Sequence, residues 1–376
     1  MTDLVVASLE RWDAVWRRNQ YLLDGLLRAD PGLRILFVEP PADPLHDLSA
    51  GRRPQSARGA REMGDSGRLW TLRPMKLLPR RMDARADSKM AHRVVAAARR
   101  LGFTDTVLWI NDPGLAELVE ITGWPALYDI TDDWLAADRT AAELSRLRRS
   151  EHMLLGRASE VVVCSPELVR RKSPLRPAER HPIVLIPNAV DVTSYRRPRA
   201  RPTDLPAGPT VLYAGTLHAD RFDVALTAET ARALAGDATL ALVGPNALEE
   251  GAIKTLVDSG VAMLGPRSPD SLIGYLQHAD ALIVPHIVNA FTDSLDPIKL
   301  YEYRAVGRPV VSTPVAGFLD ADDDRIVIAG TAEFPGAVGR AFRSSTPFSA
   351  GDDREVPDWS TRVEAMNDVL RKLGPR

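Results

Sequence analysis

The sequence predicts an α/β protein of two domains, each a doubly wound parallel sheet covered by helices. Three observations carry that expectation. At 376 residues the chain is longer than the ~250–300 at which a single hydrophobic core stops growing. Short β-branched or apolar runs alternate with longer amphipathic ones from end to end, the pattern of strands buried between helices. Between two such alternating halves lies SYRRPRARPTDLPAGP, 194–209, too rich in proline and arginine to build a core, which reads as a linker.

In the first half, strands are expected at Leu4–Ser8, Ile35–Val38, Thr106–Ile110, Ala126–Ile130, Val161–Cys164 and Ile183–Ile186. Helical periodicity is clearest over 13–29, 85–101 and 139–157. LSAGRRPQSARGAREMGDSG, 48–67, reads as a long surface loop. In the second half the strands are expected at Thr210–Tyr213, Leu240–Val243, Val261–Leu264, Ala281–Val284, Val310–Ser312 and Ile326–Ile328. WSTRVEAMNDVLRKLG, 359–374, has one apolar face and reads as a terminal helix. The expected domains are therefore 1–193 and 210–357, joined by 194–209 and followed by a C-terminal helical segment, 358–376.

Composition narrows the function. Hydrophobic residues at 45%, charged residues at 26% and a net charge of −2 describe an ordinary globular protein with no general reason to bind nucleic acid. No apolar run approaches the ~20 residues of a membrane-spanning helix. The start, MTDLVVASLE, lacks a targeting signal, and the single Cys164 ends the apolar run Val161-Val162-Val163 as a small core hydrophobe, so the expected compartment is the cytoplasm. From Arg52 to Arg100 fourteen Lys or Arg stand against four acidic residues, Glu62, Asp65, Asp83 and Asp87. That stretch is either a solvated face or a contact for an anionic acceptor or the inner membrane surface. The acidic groups Asp132-Asp133, Asp322 to Asp324 and Asp352-Asp353 have no spaced ligand set, and no zinc spacing, P-loop or Gly-x-Ser-x-Gly occurs, so no bound metal or cofactor is expected.

The chemistry concentrates in DPIKLYEYRAVGRPVV, 296–311. Asp296 reads as a helix cap and Pro297 as the first helical residue. Lys299 then falls in the first turn, where the helix dipole disfavours a cation, which points to an anion beside it. Glu302 follows on the same face, so the pair suits a ligand with a charged end and a hydroxylated end. In open α/β sheets such ligands bind beyond the carboxyl ends of strands. VLYAGTLHADRFDVAL supplies a strand end at Tyr213, a permissive Gly215, and Arg221, which is either a planar clamp for a diphosphate or an exposed residue at a helix start. LALVGPN, with Gly244, and MLGPRSPDSL, with Arg267, are strand-then-Gly-Pro turns; together they form a nucleobase slot or are ordinary α/β turn chemistry.

On these residues, DPIKLYEYRAVGRPVVSTPVAG resembles the donor-binding helix and following strand of retaining GT-B glycosyltransferases. LIPNAVDV at 185–192, HADALIVPH at 278–286 and the late Trp359 with Arg362 extend the resemblance over most of 180–365. SLERWDAVWRRNQYLL, VEPPADP and YDITDDW carry a looser likeness in the first half. The resemblance implies a GT-B fold: an acceptor domain first and a nucleotide-sugar donor domain second, facing a cleft, with the C-terminal helix crossing between them. It implies a metal-independent, hexosyltransferase-type enzyme of polysaccharide or natural-product biosynthesis. The co-substrate would be a UDP-, GDP- or dTDP-sugar and the acceptor a sugar, a lipid-linked or a small molecule. Glu302 would accept hydrogen bonds from ribose hydroxyls, while Lys299 and Arg221, with the amides of Gly215 and Thr216, would hold the diphosphate and act in catalysis. Gly244, Arg267 and Leu300 would belong to the donor site, and Asn289 and Thr292 would meet sugar hydroxyls. Asn188 would lie in the cleft and serve the acceptor. Arg17 and Arg18 would serve the acceptor together with Trp12, which is a stacking platform or, with Trp16, core. Asp132, which stands about where the family often carries a histidine near the donor sugar, would act in catalysis and at the acceptor, or else caps a helix.

The sequence also departs from that family. Ser294 stands where the first motif glutamate would be, with Asn289, Asp293 or Asp296 as candidates for its place; Thr216 replaces an arginine, and Asn188-Ala189 replaces an asparagine-glycine pair. Two other readings stay open, a nucleotide-sugar-binding protein without transfer activity and a GT-B sugar-nucleotide epimerase. His218 and His286, near the proposed site, are structural or catalytic.

Overall fold

The structure is a computed structural model and describes residues 3–13, 15–44, 59–76, 83, 85–352 and 354–374. Most of the expected loop at 48–67, through residue 58, lies outside the described residues, as do 77–82 and 84 of the basic stretch. The chain divides into two units: 1–135 with 139–187 and 360–376, and 136–138 with 188–359.

The first unit is an eight-stranded sheet in the order β3-β4-β2-β1-β5-β6-β7-β8. Its strands are β1 Asp3–Ala7, β2 Arg34–Val38, β3 Arg61–Glu62, β4 Leu69–Leu72, β5 Thr106–Ile110, β6 Ala126–Ile130, β7 Glu160–Val163 and β8 Val184–Leu185. Pairing is parallel except for β3, which runs antiparallel to β4. The strands β3 and β4 were not expected; Leu-Trp-Thr-Leu is a four-residue run between arginines, too short to announce itself. The helix expected from residue 13 starts only at Arg18. Ahead of it Val15 N donates to Asp13 Oδ1 (2.9 Å) and Arg17 N to Gln20 Oε1 (3.1 Å), so side chains close a turn where a helix would need backbone acceptors. The terminal helix Trp359–Arg371 belongs to this unit from Ser360 onward and sets Val363 against Gly25.

The second unit is a six-stranded, all-parallel sheet in the order β11-β10-β9-β12-β13-β14. It comprises β9 Thr210–Ala214, β10 Thr239–Val243, β11 Ala262–Gly265, β12 Ala281–Val284, β13 Val310–Ser312 and β14 Ile326–Ile328. The chain winds outward from β9 to one edge, then returns and winds outward from β12 to the other. The switch point therefore lies between β9 and β12, where open α/β sheets place their ligands. Alternation along β9 feeds two cores, with Val211 and Tyr213 on one face and Leu212 and Ala214 on the other.

Residues 194–209 do not behave as a free linker. Tyr195 and Leu205 are buried in the core that contains Leu212 and Tyr275. Gln277 donates to the carbonyls of Tyr195 (2.8 Å) and Arg197 (2.9 Å) and accepts from Arg199 N (2.8 Å). Two spaced apolar side chains and one amide are enough to fix the segment, and the division between the units falls at 187/188 rather than at 193.

Candidate functional site

The site in the second unit starts from two glycine loops that touch. Gly215 follows β9 with φ +142 and Gly244 follows β10 with φ +147. A Cβ on Gly244 would stand 2.1 Å from Gly215 O, an approach that no side chain permits. Gly215 N donates to Val243 O and Leu217 N to Pro245 O, both at 2.9 Å, which locks the loops together. The Gly215 amide is thereby engaged, contrary to the expectation that it faces a phosphate. That of Thr216 has no acceptor among the described residues.

Helix Ile298–Val306 delivers Lys299 and Glu302 to this edge. Its cap residue is Pro297, and Asp296 does not cap. Instead the Asp296 carboxylate accepts from Asn188 N and from Tyr301 Oη (2.7 Å), and its carbonyl accepts from Asn188 Nδ2. Asn188, expected to project toward an acceptor, is thus buried and committed to holding the helix start. The Tyr303 hydroxyl accepts from Ala214 N (3.0 Å) and docks the helix on the end of β9.

Lys299 Nζ donates to Tyr213 Oη at 2.8 Å, stands 3.4 Å from His286 Nε2 and lies 4.1 Å from the centre of the Tyr213 ring. Tyr213 Oη and His286 Nε2 are 3.1 Å apart. No carboxylate comes within ion-pair distance of Lys299 among the described residues. Desolvation first, then the positive Arg221, bring the Lys299 pKa down to about 7 against the pull of Glu302. Burial, followed by the charges of Lys299 and Arg221, holds His286 well below the usual histidine value, so its imidazole is neutral. Glu302 accepts from Tyr195 Oη at 2.6 Å through one carboxylate oxygen. Burial raises its pKa, opposed by that hydrogen bond and by Lys299. Arg221 places Nε on Asp220 Oδ1 at 3.1 Å and its guanidinium 5.3 Å from the Phe291 ring centre.

Several expected site residues are engaged elsewhere. Thr292 is 1% exposed and gives its hydroxyl to the carbonyls of Ile287 (2.9 Å) and Asn289 (3.0 Å), so it does not face a sugar. Asn289 is exposed, with Oδ1 taken by the amides of Phe291 and Thr292. Ser294 is fully buried, its hydroxyl on Phe291 O (2.7 Å). Leu300 packs in the core, and its amide donates to Pro297 O (2.9 Å). Arg267, beyond the edge strand β11, is held by Tyr275 Oη (2.7 Å) and Asp204 and does not join Lys299.

In the first unit, Arg18 is 4% exposed and reaches both oxygens of buried Asp129 at 3.3 Å each, where Trp109 Nε1 also donates (3.2 Å). It is a core ion pair, not the acceptor contact expected of it. Trp12 packs edge-on against Phe37 (5.1 Å) and beside Trp16 (6.4 Å). Arg17 stays near the surface between Asp13 (3.4 Å) and Glu10 (3.6 Å). Asp132 accepts from Thr131 Oγ1 at 3.3 Å and influences Glu10, whose pKa desolvation raises to about 7. Sequence reasoning did not single out Glu10, Tyr195 or Tyr213. The signal for Tyr213 was a polar side chain near the end of a strand flanking the switch point, opposite His286 on the other, and their pairing is visible only once the strand order is known.

The sequence profile described as glycosyl transferases group 1 matches residues 208–343. The chain is 26% identical over 247 residues to D-inositol 3-phosphate glycosyltransferase of Nocardia farcinica, covering 60% of this chain and 49% of that protein. It spans about half the length of the curated relatives it matches. Sucrose-phosphate synthase from Thermosynechococcus elongatus superimposes with a TM-score of 0.71 at 17% identity, over 99% of both chains. Anabaena HepE, solved in complex with UDP-glucose, does so with a TM-score of 0.66 at 15% identity, over 99% of this chain and 100% of that one. Residues 208–343 are thus a glycosyl transferases group 1 segment, and the chain that carries them has the GT-B fold of that group.

Proposed function

We propose that the chain is a glycosyltransferase that moves a sugar from a nucleoside diphosphate to an acceptor hydroxyl, with retention of configuration and without a resident metal or cofactor. The observation that carries this reading is Lys299, a cation in the first turn of a helix at the switch point of a parallel sheet, whose close neighbours are a phenol and a neutral imidazole. A half-buried cation with no carboxylate beside it is poorly compensated, and a diphosphate supplies the missing counter-charge. The donor lies with its phosphates toward Lys299, Arg221 and the Thr216 amide. Its ribose hydroxyls bond the Glu302 oxygen that Tyr195 leaves open. As the glycosidic bond breaks, negative charge grows on the departing diphosphate, and the two cations stabilise that charge more than the ground state. The solved complex of HepE with UDP-glucose favours a nucleotide sugar as the donor. The acceptor side belongs to the first unit, around Arg17, Glu10 and Asp132. Its helix Ala86–Arg100 exposes Lys89, Arg93, Arg99 and Arg100, a face suited to an anionic acceptor or a peripheral membrane contact, while no described helix is long and apolar enough to cross a membrane.

The test is a panel of UDP-, GDP- and dTDP-sugars offered with a crude acceptor extract. Nucleoside diphosphate released together with a glycosylated product supports the assignment. A second reading, a nucleotide-sugar-binding protein without transfer, draws on Ser294, a buried hydroxyl where the resemblance to retaining GT-B enzymes implies a glutamate. Thermal stabilisation by a donor with no turnover across the panel would favour it.

A further inference from the structure

Lys299 sits on a seat with an unusual property: it is polar, hydrogen-bonded and uncharged. Tyr213 lies at the carboxyl end of β9 with no exposure, its ring packed edge-on to Phe222 at 5.1 Å. His286 follows β12 and is 5% exposed. Its amide donates to Thr313 Oγ1 (3.2 Å) and its carbonyl accepts from the same hydroxyl (2.7 Å), which pins the turn to the chain just past β13. A neutral imidazole can take the Tyr213 proton at Nε2 (3.1 Å), leaving the phenol oxygen to accept from the ammonium (2.8 Å). The donor chain thus runs from Lys299 to Tyr213 to His286 across the switch point and ends without a negative charge.

We propose that Tyr213, held by His286, is a positioning residue for Lys299: the pair fixes the amine at the switch point without a negative charge of its own, so that a diphosphate meets a pre-oriented ammonium that no carboxylate has neutralised. This rests on the donor-site reading above. A lysine has a flexible stem and three rotatable donors, and an unheld ammonium would lose that freedom on binding. A carboxylate in place of either partner would hold it equally well but would compete with the phosphates. The groups facing Lys299 are Tyr213 from β9, His286 from the turn after β12, Arg221 and His218 from the loop after β9, and Glu302 one turn along its own helix. Glu302 is the single anion among them, and Tyr195 already donates to it. Removing the phenol oxygen takes away a hydrogen bond that favours the protonated amine, so the amine loses its proton more readily.

The experiment is calorimetric titration of the full chain with UDP-glucose, GDP-mannose and dTDP-glucose from pH 6 to pH 8, a range (about two units) over which neither the diphosphate diester nor the base of these ligands titrates. Wild type should bind one of them with an affinity that falls as pH rises through about 7. Tyr213→Phe keeps the ring and should weaken binding about tenfold at the alkaline end, with its decline displaced to lower pH. His286→Gln should shift the profile in the same direction by less, and it carries the test if Tyr213→Phe does not fold. An unchanged affinity and pH profile in both variants overturns the inference, as does a loss equal at every pH, the mark of a merely structural role. If wild type binds none of the three, the donor-site reading fails and the inference falls with it.

Discussion

Lys172, the last residue of the helix Pro166–Lys172 in the first unit, and Lys299, in the first turn of the helix Ile298–Val306 in the second, have opposite surroundings. Lys172, in the first unit, is 2% exposed and meets Asp133 at 2.8 Å and Glu151 at 2.8 and 3.0 Å, while Arg171 adds a second contact to Asp133 at 2.8 Å. Burial alone would raise the Asp133 carboxyl, but the hydrogen bonds from Lys172 and Arg171 prevail and hold it below its usual value. Lys299, in the second unit, meets a phenol and an imidazole. A charge compensated on every side is architecture, because its partners are inside the chain. A charge with no carboxylate beside it, at a strand end, is what the proposed donor site uses, its partner there being the diphosphate of the ligand. Both arginines have a carboxylate partner, but Arg18 is paired with Asp129 in the core and Arg221 with the adjacent Asp220 nearer the surface.

The largest effect expected from this contrast is on stability. Lys172→Met leaves two buried carboxylates facing each other and should cost about 3–5 kcal/mol in denaturant unfolding. A loss below about 1 kcal/mol, the range of surface pairs, would break the comparison at that end. Lys299→Met should do the reverse, with turnover falling about a hundred- to a thousandfold while the melting temperature holds or rises. Equal destabilisation by the two substitutions would erase the distinction. Glu302→Ala should weaken donor binding about tenfold with little change in fold, and unchanged binding would remove the ribose role.

The smallest expected effect lies in pH dependence, where the two units have opposite signs. The folded chain holds Lys299 at about 7, below its ordinary 10.5, so between those values the unfolded state binds more protons and stability rises with pH. Lys299→Met should flatten that rise. Glu10 is held at about 7, above its ordinary 4.5, chiefly by desolvation, with Arg17 opposing and Asp132, Asp13 and Asp129 adding to the rise. Over that window the folded state binds more protons, so stability falls as pH climbs, and Glu10→Gln should remove the fall. Because the Glu10 side chain is 32% exposed, solvent screening keeps this effect small. Melting temperature against pH reads both.

Much of the fold was legible because buried parallel strands are continuous apolar runs: Ala281–Val284 and Val310–Ser312 begin and end where their residues say. β4 was not legible, since Leu69–Leu72 is short and gains its place by pairing with β2 and by setting Trp70 against Phe103. Local rules misplaced Asp296, which has the composition of a cap; its true partners, Asn188 and Tyr301, are fixed by tertiary structure. Lys299, Glu302 and Arg221 were found from the pattern of charge at a helix start and a glycine turn. His286 was placed near them with its role open, whereas Tyr213 and Tyr195, which also bracket them, were not singled out as site residues. Each reaches its partner across the sheet or from the segment before it, so its contacts depend on strand order.

The most direct test of the donor site is phosphorus NMR of a nucleotide sugar in the presence of wild type and of Lys299→Met. Wild type should shift and broaden both diphosphate resonances, while Lys299→Met, still folded, should leave them at their free positions at the same concentrations. Equal shifts and equal affinity with both proteins would show that the diphosphate does not rest on this lysine, and the account of the site would be wrong.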